Sequence, residues 1–130
     1  MSPENEMKRK GTKLMMSDAG YTLFFCPACK KPHAVSVAPP NGWAWNGSGD
    51  LPVFSPSVGV SGHEVVIGGD GLWTGDWVLD AQGKPKPSYC HSFVGSADGS
   101  TPGKIQFLGD CTHAMANQLV DLPDYPKDRI

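Results

Sequence analysis

The sequence predicts a mainly β protein, a compact antiparallel β domain with a zinc-knuckle hairpin and one short C-terminal helix. Glycine and proline are frequent, with 16 and 12 copies in 130 residues, and they punctuate the chain without a fixed period. This pattern is typical of many short strands joined by turns. Cys26-Pro27-Ala28-Cys29 lies between the first two predicted strands, and a metal ion held there would stabilise a domain of this modest size.

Extended segments are expected where apolar side chains alternate with polar ones or where β-branched and aromatic residues cluster. Residues 21–25 and 33–37 should form a hairpin with the Cys-x-x-Cys turn at its tip. The two prolines within residues 51–60 suit an edge strand or an irregular extended segment. The remaining short segments are 43–45, 64–67, 77–79, 90–94 and 104–108.

The C-terminal part of the chain contains the clearest strand pair and the predicted helix. Residues 90–94 and 104–108 are joined by a turn rich in Gly, Ser and Asp. Residues 112–118 are expected to make one or two helical turns, with Asp110 or Thr112 as the N-cap.

Charge and composition divide the chain into two predicted parts. Residues 1–19 are expected to be a mobile N-terminal leader, and residues 20–130 a single zinc-stabilised β-rich domain. The basic side chains Lys8, Arg9, Lys10 and Lys13 lie in the leader, whereas residues 32–83 contain no Lys or Arg. A body so short of cations is a poor phosphate-binding surface, so nucleic acid is not the expected partner.

Cysteine usage and targeting signals predict a reducing environment. No apolar run approaches the roughly 18 residues that span a bilayer, and no secretory signal is recognisable, so we expect a cytoplasmic location and no membrane partner. In that compartment a Cys-x-x-Cys pattern indicates a metal site or a redox pair. Lys30-Lys31-Pro32 predicts a turn rather than the helix that follows a redox pair, which favours metal.

Seven Cys and His side chains are candidate zinc ligands: Cys26, Cys29, His33, Cys90, His91, Cys111 and His113. Zinc takes four ligands in a tetrahedral arrangement. Adjacent residues of a strand point to opposite faces, so Cys90 and His91 are not expected to bind the same ion. The predicted set is therefore Cys26, Cys29, Cys90 and His113, with Cys111 and His33 as substitutes.

A catalytic alternative uses His91, Asp110 and His113 around a zinc with an open position. Asp110 would orient or deprotonate the zinc-bound water, and His91 would donate a proton to the leaving group. Two or more thiolates on one zinc are commoner in structural sites, which favours a structural role. Ser55 and Ser57 lie in no nucleophile-elbow context, so the sequence predicts no serine nucleophile.

Four tryptophans, Trp43, Trp45, Trp73 and Trp77, are candidates for a binding groove. Their alternative role is packing in the core and between strands. Residues 61–88 are expected to form an excursion from the basic fold, with Trp73 and Trp77 anchoring it.

Five short motifs lie along the chain: Phe25-Cys26-Pro27-x-Cys29 with His33, Gly42-Trp43-x-Trp45-Asn46-Gly47, Phe54-Ser55-Pro56-Ser57-Val58, Cys90-His91-Ser92-Phe93-Val94, and Gly103-Lys104-Ile105-Gln106-Phe107-Leu108-x-Asp110-Cys111-Thr112-His113-Ala114. With these motifs the chain resembles a family of small zinc-binding proteins, mostly from phages and prophages, that are often mislabelled "ammonia monooxygenase". The resemblance covers most of residues 21–123 and differs from the family pattern at residues 51–53, at residues 116–117 and in the long segment between Val58 and Cys90. More distant relatives are similar to a component found beside bacterial ubiquitin-like conjugation genes.

The resemblance and the residues together lead to two functional hypotheses. The first is a phage- or prophage-encoded, zinc-stabilised module that binds a host or phage protein through the Trp-rich middle of the chain and acts against a host defence factor. The second is a zinc-dependent hydrolase of a peptide or isopeptide-like bond. A third hypothesis, nucleic-acid binding through the basic leader, would require affinity that falls steeply with salt.

Overall fold

A computed structural model describes residues 6–127 of the protein. Within this range the regular structure consists of strands joined by turns, with no helix. The strands are β1 (Lys8–Lys10), β2 (Leu14–Met16), β3 (Tyr21–Cys26), β4 (Lys31–Ser36), β5 (Ala44–Trp45), β6 (Phe54–Ser55), β7 (Val58–His63), β8 (Val65–Ile67), β9 (Trp73–Trp77), β10 (Pro87–Val94), β11 (Lys104–Phe107) and β12 (Leu119–Asp121).

The first sheet has the order β1-β2-β3-β4, with every neighbouring pair antiparallel. Successive side chains of β3 point to opposite faces of this sheet, and both faces are covered by apolar residues. Phe24 and Cys26 face the main core, whereas Phe25 and Leu23 face a second cluster with Met15. The predicted hairpin with the Cys-x-x-Cys turn at its tip is confirmed as the β3–β4 pair.

The second sheet has the order β12-β11-β10-β7 and is also antiparallel. The strand pair predicted from residues 90–94 and 104–108 is confirmed as β10 with β11. Strand β7 pairs with β10 on one side and ends the sheet on the other. Two small ladders, β5–β6 and β8–β9, complete the pairing.

One core cluster joins the two large sheets. Phe24 from β3 stacks on Phe54 from β6 with ring centroids 6.2 Å apart. The other buried members of this cluster are Leu14, Cys26, Val35, Val58, Cys90, Val94, Ile105, Phe107 and Leu122. This shared core stabilises the packing of the two sheets, because each sheet removes from water the apolar face that it would otherwise expose.

The predicted C-terminal helix is wrong. Residues 112–118 form two successive tight turns, with backbone hydrogen bonds from Ala116 to His113 and from Gln118 to Met115. Both bonds join residues that are three apart, whereas an α-helix requires bonds between residues that are four apart. The Met115 amide instead donates to His113 Nδ1 at 3.2 Å. Asn117, at φ 66°, then turns the chain into the left-handed region.

Within the predicted leader, the described residues form structure. Lys8–Lys10 and Leu14–Met16 are the β1–β2 hairpin, and Leu14 and Met15 are buried. The sequence predicts a leader here because strands of three residues are too short to show a periodic pattern of apolar side chains. Residues 1–5 lie outside the described residues, and the domain boundary at residue 20 stays a prediction.

Within residues 6–127, the structure has no helix long and apolar enough to cross a membrane. The cytoplasmic location stays a prediction.

Candidate active site and metal centre

A serine, a histidine and an aspartate form a hydrogen-bonded chain at one end of β7. His91 Nε2 lies 2.8 Å from Ser57 Oγ, and His91 Nδ1 lies 3.0 Å from the nearer carboxylate oxygen of Asp110. A hydroxyl, an imidazole and a carboxylate in this order are the groups of a nucleophile, its general base and the residue that orients the base. Both ring nitrogens of His91 therefore have protein partners.

The antiparallel pairing of β7 and β10 brings the first two groups together. Ser57 directly precedes β7, and His91 of β10 lies opposite Gly59. The His91 ring therefore reaches diagonally to Ser57, a distance that cross-strand neighbours allow. Asp110 arrives from the turn after β11, which bonds to β10 through Leu108 N–H to His91 O at 2.9 Å.

Two aromatic side chains surround Ser57 and the strand that follows it. The Trp43 indole donates to the Ser57 carbonyl at 3.2 Å, which holds the backbone that carries the hydroxyl. Tyr89 lies on the same face of β10 as His91, with ring centroids 5.7 Å apart. A Cβ at Gly59 would lie 2.9 Å from the Tyr89 hydroxyl, so glycine leaves the space in which that hydroxyl sits.

A second cluster, of thiols and imidazole, lies on the inner side of β10. Ligand atoms of Cys26, Cys29, His33 and Cys90 all fall within 4.8 Å of one another. The Sγ atoms of Cys26 and Cys90 are 3.9 Å apart, and all four cysteines are free thiols. Cys26 and Cys29 come from the β3–β4 turn, so this cluster joins the first sheet to the second.

The orientation of His33 fits metal binding. Its ring is buried, and Nδ1 lies 3.3 Å from the Pro32 carbonyl, to which it donates. Nε2 is then the unprotonated nitrogen, and it is buried without a hydrogen-bond partner. A cation would satisfy this buried lone pair, and three thiols lie within reach of the ring. Metal-ligating histidines commonly donate their other N–H to an oxygen in the same way.

The thiol protons also indicate a site built for a cation. Hydrogen bonding from Cys29 and Cys90 holds the pKa of Cys26 far below its usual range. Hydrogen bonding to Cys26 in turn raises the pKa of Cys29 to about 12 and raises that of Cys90 as well. The opposite directions arise because the charge of one thiolate disfavours ionisation of the thiols beside it, whereas a divalent metal would stabilise all three as thiolates.

Cys111 and His113 form a second, overlapping group with Cys90. His113 Nε2 lies 3.4 Å from Cys90 Sγ, and burial lowers the pKa of His113. Cys111 Sγ accepts the His91 amide and donates to the His91 carbonyl, each at 3.2 Å. Cys111 thereby links the turn that carries Asp110 to the strand that carries His91.

The structure places the predicted site residues in two different groups. His91 and Asp110 meet, as the catalytic alternative requires, whereas His113 lies beside Cys90. Cys26, Cys29 and Cys90 come together as predicted, but the fourth ligand within the same 4.8 Å is His33, which was named only as a substitute. The metal ligands themselves stay a prediction.

The four tryptophans do not share one groove. Trp43 and Trp45 are partly buried against the core, with their indole nitrogens bonded to Ser57 and Ser48 carbonyls. Trp73 and Trp77 are exposed on β9, with their ring centroids 5.0 Å apart. Trp77 also contacts the ring of His63. A cleft of about 280 Å³ is lined in part by Cys29, Ile67 and His113, and its lining contains no tryptophan and none of Ser57, His91 and Asp110.

Sequence reasoning missed Ser57. It was set aside because a nucleophile elbow requires a strand-to-helix turn, whereas Ser57 precedes a strand in a protein without helices over residues 6–127. Triads are defined by geometry and not by sequence order. The sequence did contain a signal: His91 and Asp110 were already candidates for a hydrolytic site, and such a pair requires a nucleophile, which a serine beside a strand can supply.

Fold and site define a class: a small β protein with a Ser-His-Asp triad on one face of a sheet and, on the other, a Cys/His cluster that could hold a metal ion. The family model described as the bacterial ubiquitination-like system serine protease, BubE, matches residues 2–108, and the chain belongs to this family. Ser57 and His91 lie within the match, and Asp110 lies just beyond it. No curated protein and no solved structure matches the chain.

Proposed function

We propose that this protein is a serine hydrolase that cleaves a peptide or isopeptide-type bond within a bacterial ubiquitination-like system. The observation that carries the proposal is the chain Ser57–His91–Asp110, with 2.8 Å and 3.0 Å separations. The family description names a serine protease of that system. The proposal keeps the bond type of the zinc-hydrolase hypothesis and replaces the zinc-bound water with a serine as the nucleophile.

In the proposed reaction, Ser57 Oγ attacks the scissile carbonyl carbon while His91 Nε2 takes its proton. His91 then gives that proton to the leaving amine, which departs and leaves an acyl-serine. Water attacks the acyl carbon in the second half, His91 accepts its proton, and the proton returns to Ser57 as the acid product leaves. Asp110 holds the imidazole in orientation and stabilises its protonated form.

Zinc is proposed to be structural. Cys26, Cys29, His33 and Cys90 would hold it, and a site closed by four protein ligands contributes folding energy and leaves no position for a reacting water. In the zinc-hydrolase alternative His91 donates a proton to the leaving group, so its Nε2 would have to leave Ser57 Oγ, to which it is hydrogen-bonded at 2.8 Å.

The decisive experiment labels the protein with a fluorophosphonate probe and measures hydrolysis of an isopeptide-linked lysine peptide. Wild type is expected to be labelled at Ser57, and Ser57→Ala to lose labelling and at least about 10⁴-fold of its rate, the order typical of triad removal. Ser55→Ala is the matched control, because Ser55 lies two residues away on β6 and is exposed. Undiminished hydrolysis by Ser57→Ala would overturn the proposal.

Partner binding remains a separate proposal, favoured by the β8–β9 ladder and its surroundings. Val66, Ile67, Trp73, Trp77 and Leu79 are all exposed there. The same stretch of chain carries carboxylates and lies within the segment free of Lys and Arg. We propose that this surface contacts the protein substrate of the hydrolase, at an apolar area bordered by basic residues.

A further inference from the structure

Strand β7 is an edge strand that begins at the triad. It ends the second sheet, and Ser57 directly precedes its first residue. Gly59, Ser61 and His63 are exposed, whereas Val58 at the start is buried. Exposed edges of this kind present unpaired backbone groups to other extended chains.

The hydrogen bonds of β10 determine which backbone groups of β7 are free. His91 N–H and C=O bond to Cys111 Sγ and Leu108 N, and Tyr89 N–H and C=O bond to Thr112. In an antiparallel ladder, both backbone groups of a residue face the same side and consecutive residues alternate. Ser88, Cys90 and Ser92 therefore face β7.

The register extends this result to β7. Its residues opposite Ser88, Cys90 and Ser92 are Gly62, Val60 and Val58. The backbone N–H and C=O of Gly59 and Ser61 consequently point away from β10, and within residues 6–127 neither residue has another backbone hydrogen bond. At the Ser57 end this open stretch is closed by Trp43, whose indole occupies the Ser57 carbonyl.

We propose that the open edge of β7 is the substrate-binding strand, on which an extended peptide segment next to the scissile bond adds as a further strand. Gly59 and Ser61 would exchange main-chain hydrogen bonds with it, which fixes the distance of the scissile carbonyl from Ser57. This inference rests on the proposed hydrolase function. It names the substrate class as an unfolded or extended tail rather than a folded surface loop, because a continuous edge accepts only a strand.

The small side chains at the edge agree with this substrate class. Gly59 has no side chain, and the Tyr89 hydroxyl takes that space on the face of the sheet, whereas Ser61 and Gly62 leave the approach to the edge open. Main-chain bonding recognises any extended sequence, so side-chain selectivity would have to come from elsewhere, such as the exposed Trp73 and Trp77.

Ser61→Pro tests the edge directly. Proline removes the outward N–H of Ser61 and leaves the ladder bonds of Val60 and Gly62 to β10, and edge strands tolerate proline for this reason. Ser61→Ala is the matched control, because it removes the hydroxyl and keeps the N–H. The readouts are cleavage of a ten-residue peptide that wild type cleaves, hydrolysis of p-nitrophenyl acetate, and fluorophosphonate labelling of Ser57.

We expect Ser61→Pro to lose about tenfold or more in kcat/KM for the peptide, the equivalent of one or two hydrogen bonds. Ester hydrolysis and labelling should stay within about twofold of wild type, and Ser61→Ala should resemble wild type in all three readouts. Peptide cleavage by Ser61→Pro at the wild-type rate would overturn the proposal that β7 binds the substrate, and it would leave the proposed hydrolase function untouched. A wild-type protein without labelling or cleavage would overturn both proposals.

If Ser61→Pro loses all three activities together, the variant has disturbed the triad, and substrate modification gives the answer. Wild type is then tested with the same peptide methylated at one backbone nitrogen at a time. Methylation of at least one amide that is not in the scissile bond should reduce cleavage about tenfold. Uniform cleavage across such a series would overturn the proposal.

Discussion

At the scale of single residues, Ser57 depends on its neighbours and not on a local motif. The Trp43 indole holds its carbonyl, His91 meets its hydroxyl, and Gly59 leaves room for the Tyr89 hydroxyl. Each of these groups comes from a different segment of the chain. A serine nucleophile of this kind is visible only after the strands have been paired.

His33 provides the sharpest residue-scale prediction about the metal. Its buried Nε2 lacks a partner, whereas His113 Nε2 lies 3.4 Å from Cys90 Sγ and outside the four-ligand group. We expect His33→Ala to lose most of its zinc and His113→Ala to keep about one zinc per chain, because a structural site fails when one of four ligands is removed. Elemental analysis of protein purified without chelator measures both.

The reverse result, zinc lost in His113→Ala and kept in His33→Ala, would restore the ligand set predicted from the sequence. His63→Ala serves as a control, since His63 is an exposed histidine that contacts Trp77 and belongs to neither metal-binding group.

At the scale of elements, β10 connects the two sites. Its inward side chains include Cys90 of the Cys/His cluster, and its outward side chains include His91 of the triad. The alternation of a strand separates the two chemistries by one residue. The turn after β11 repeats this arrangement, since Asp110 belongs to the triad and Cys111 to the group around Cys90.

The β8–β9 ladder is the element to which we assign substrate contact. Trp73→Ala combined with Trp77→Ala should raise KM for a folded protein substrate about tenfold, because aromatic residues of this kind dominate interfaces. Hydrolysis of p-nitrophenyl acetate should not change, since these residues lie away from Ser57. Trp45→Phe is the matched control, because Trp45 packs against the core and is not part of the β8–β9 surface. Equal KM values in the double variant and wild type would contradict the assignment.

At the scale of the whole molecule, the two sheets share one core, and the Cys/His cluster contains residues from both. Cys26 and Cys29 come from the first sheet, and Cys90 comes from the second. The N-terminal and C-terminal parts of the described chain are also in contact. Lys13 Nζ lies 2.9 Å from Asp124 Oδ1, and this hydrogen bond lowers the pKa of the Asp124 carboxyl. This pair is exposed, so its contribution to stability is small.

Metal removal should therefore act on the entire fold. We expect a zinc chelator to lower the melting temperature by more than about 10 °C, because structural zinc contributes folding free energy directly. Fluorophosphonate labelling of Ser57 should fall in parallel, since Cys90 adjoins His91. Zinc added back should restore both. An unchanged melting temperature after complete zinc removal would show that the cluster does not stabilise the fold.

Local chemistry alone determined the class of fold, the β3–β4 hairpin, the β10–β11 pair and the candidate metal ligands. These follow from side-chain alternation, turn residues and the spacing of Cys26 and Cys29, which act over a few positions of the chain. The His91 and Asp110 pairing was also foreseen. The predicted C-terminal helix is wrong, because the chain forms two tight turns there and enters the left-handed region at Asn117.

Tertiary structure decided the rest: that Ser57 meets His91, that His33 rather than His113 completes the four-ligand group, and that β7 is an edge. Ser57 and His91 are 34 residues apart, and His33 and Cys90 are 57 apart, so only strand pairing and sheet packing bring their atoms together. Residue type and spacing specify what a side chain can do, whereas its partner depends on which strands pair and in which register.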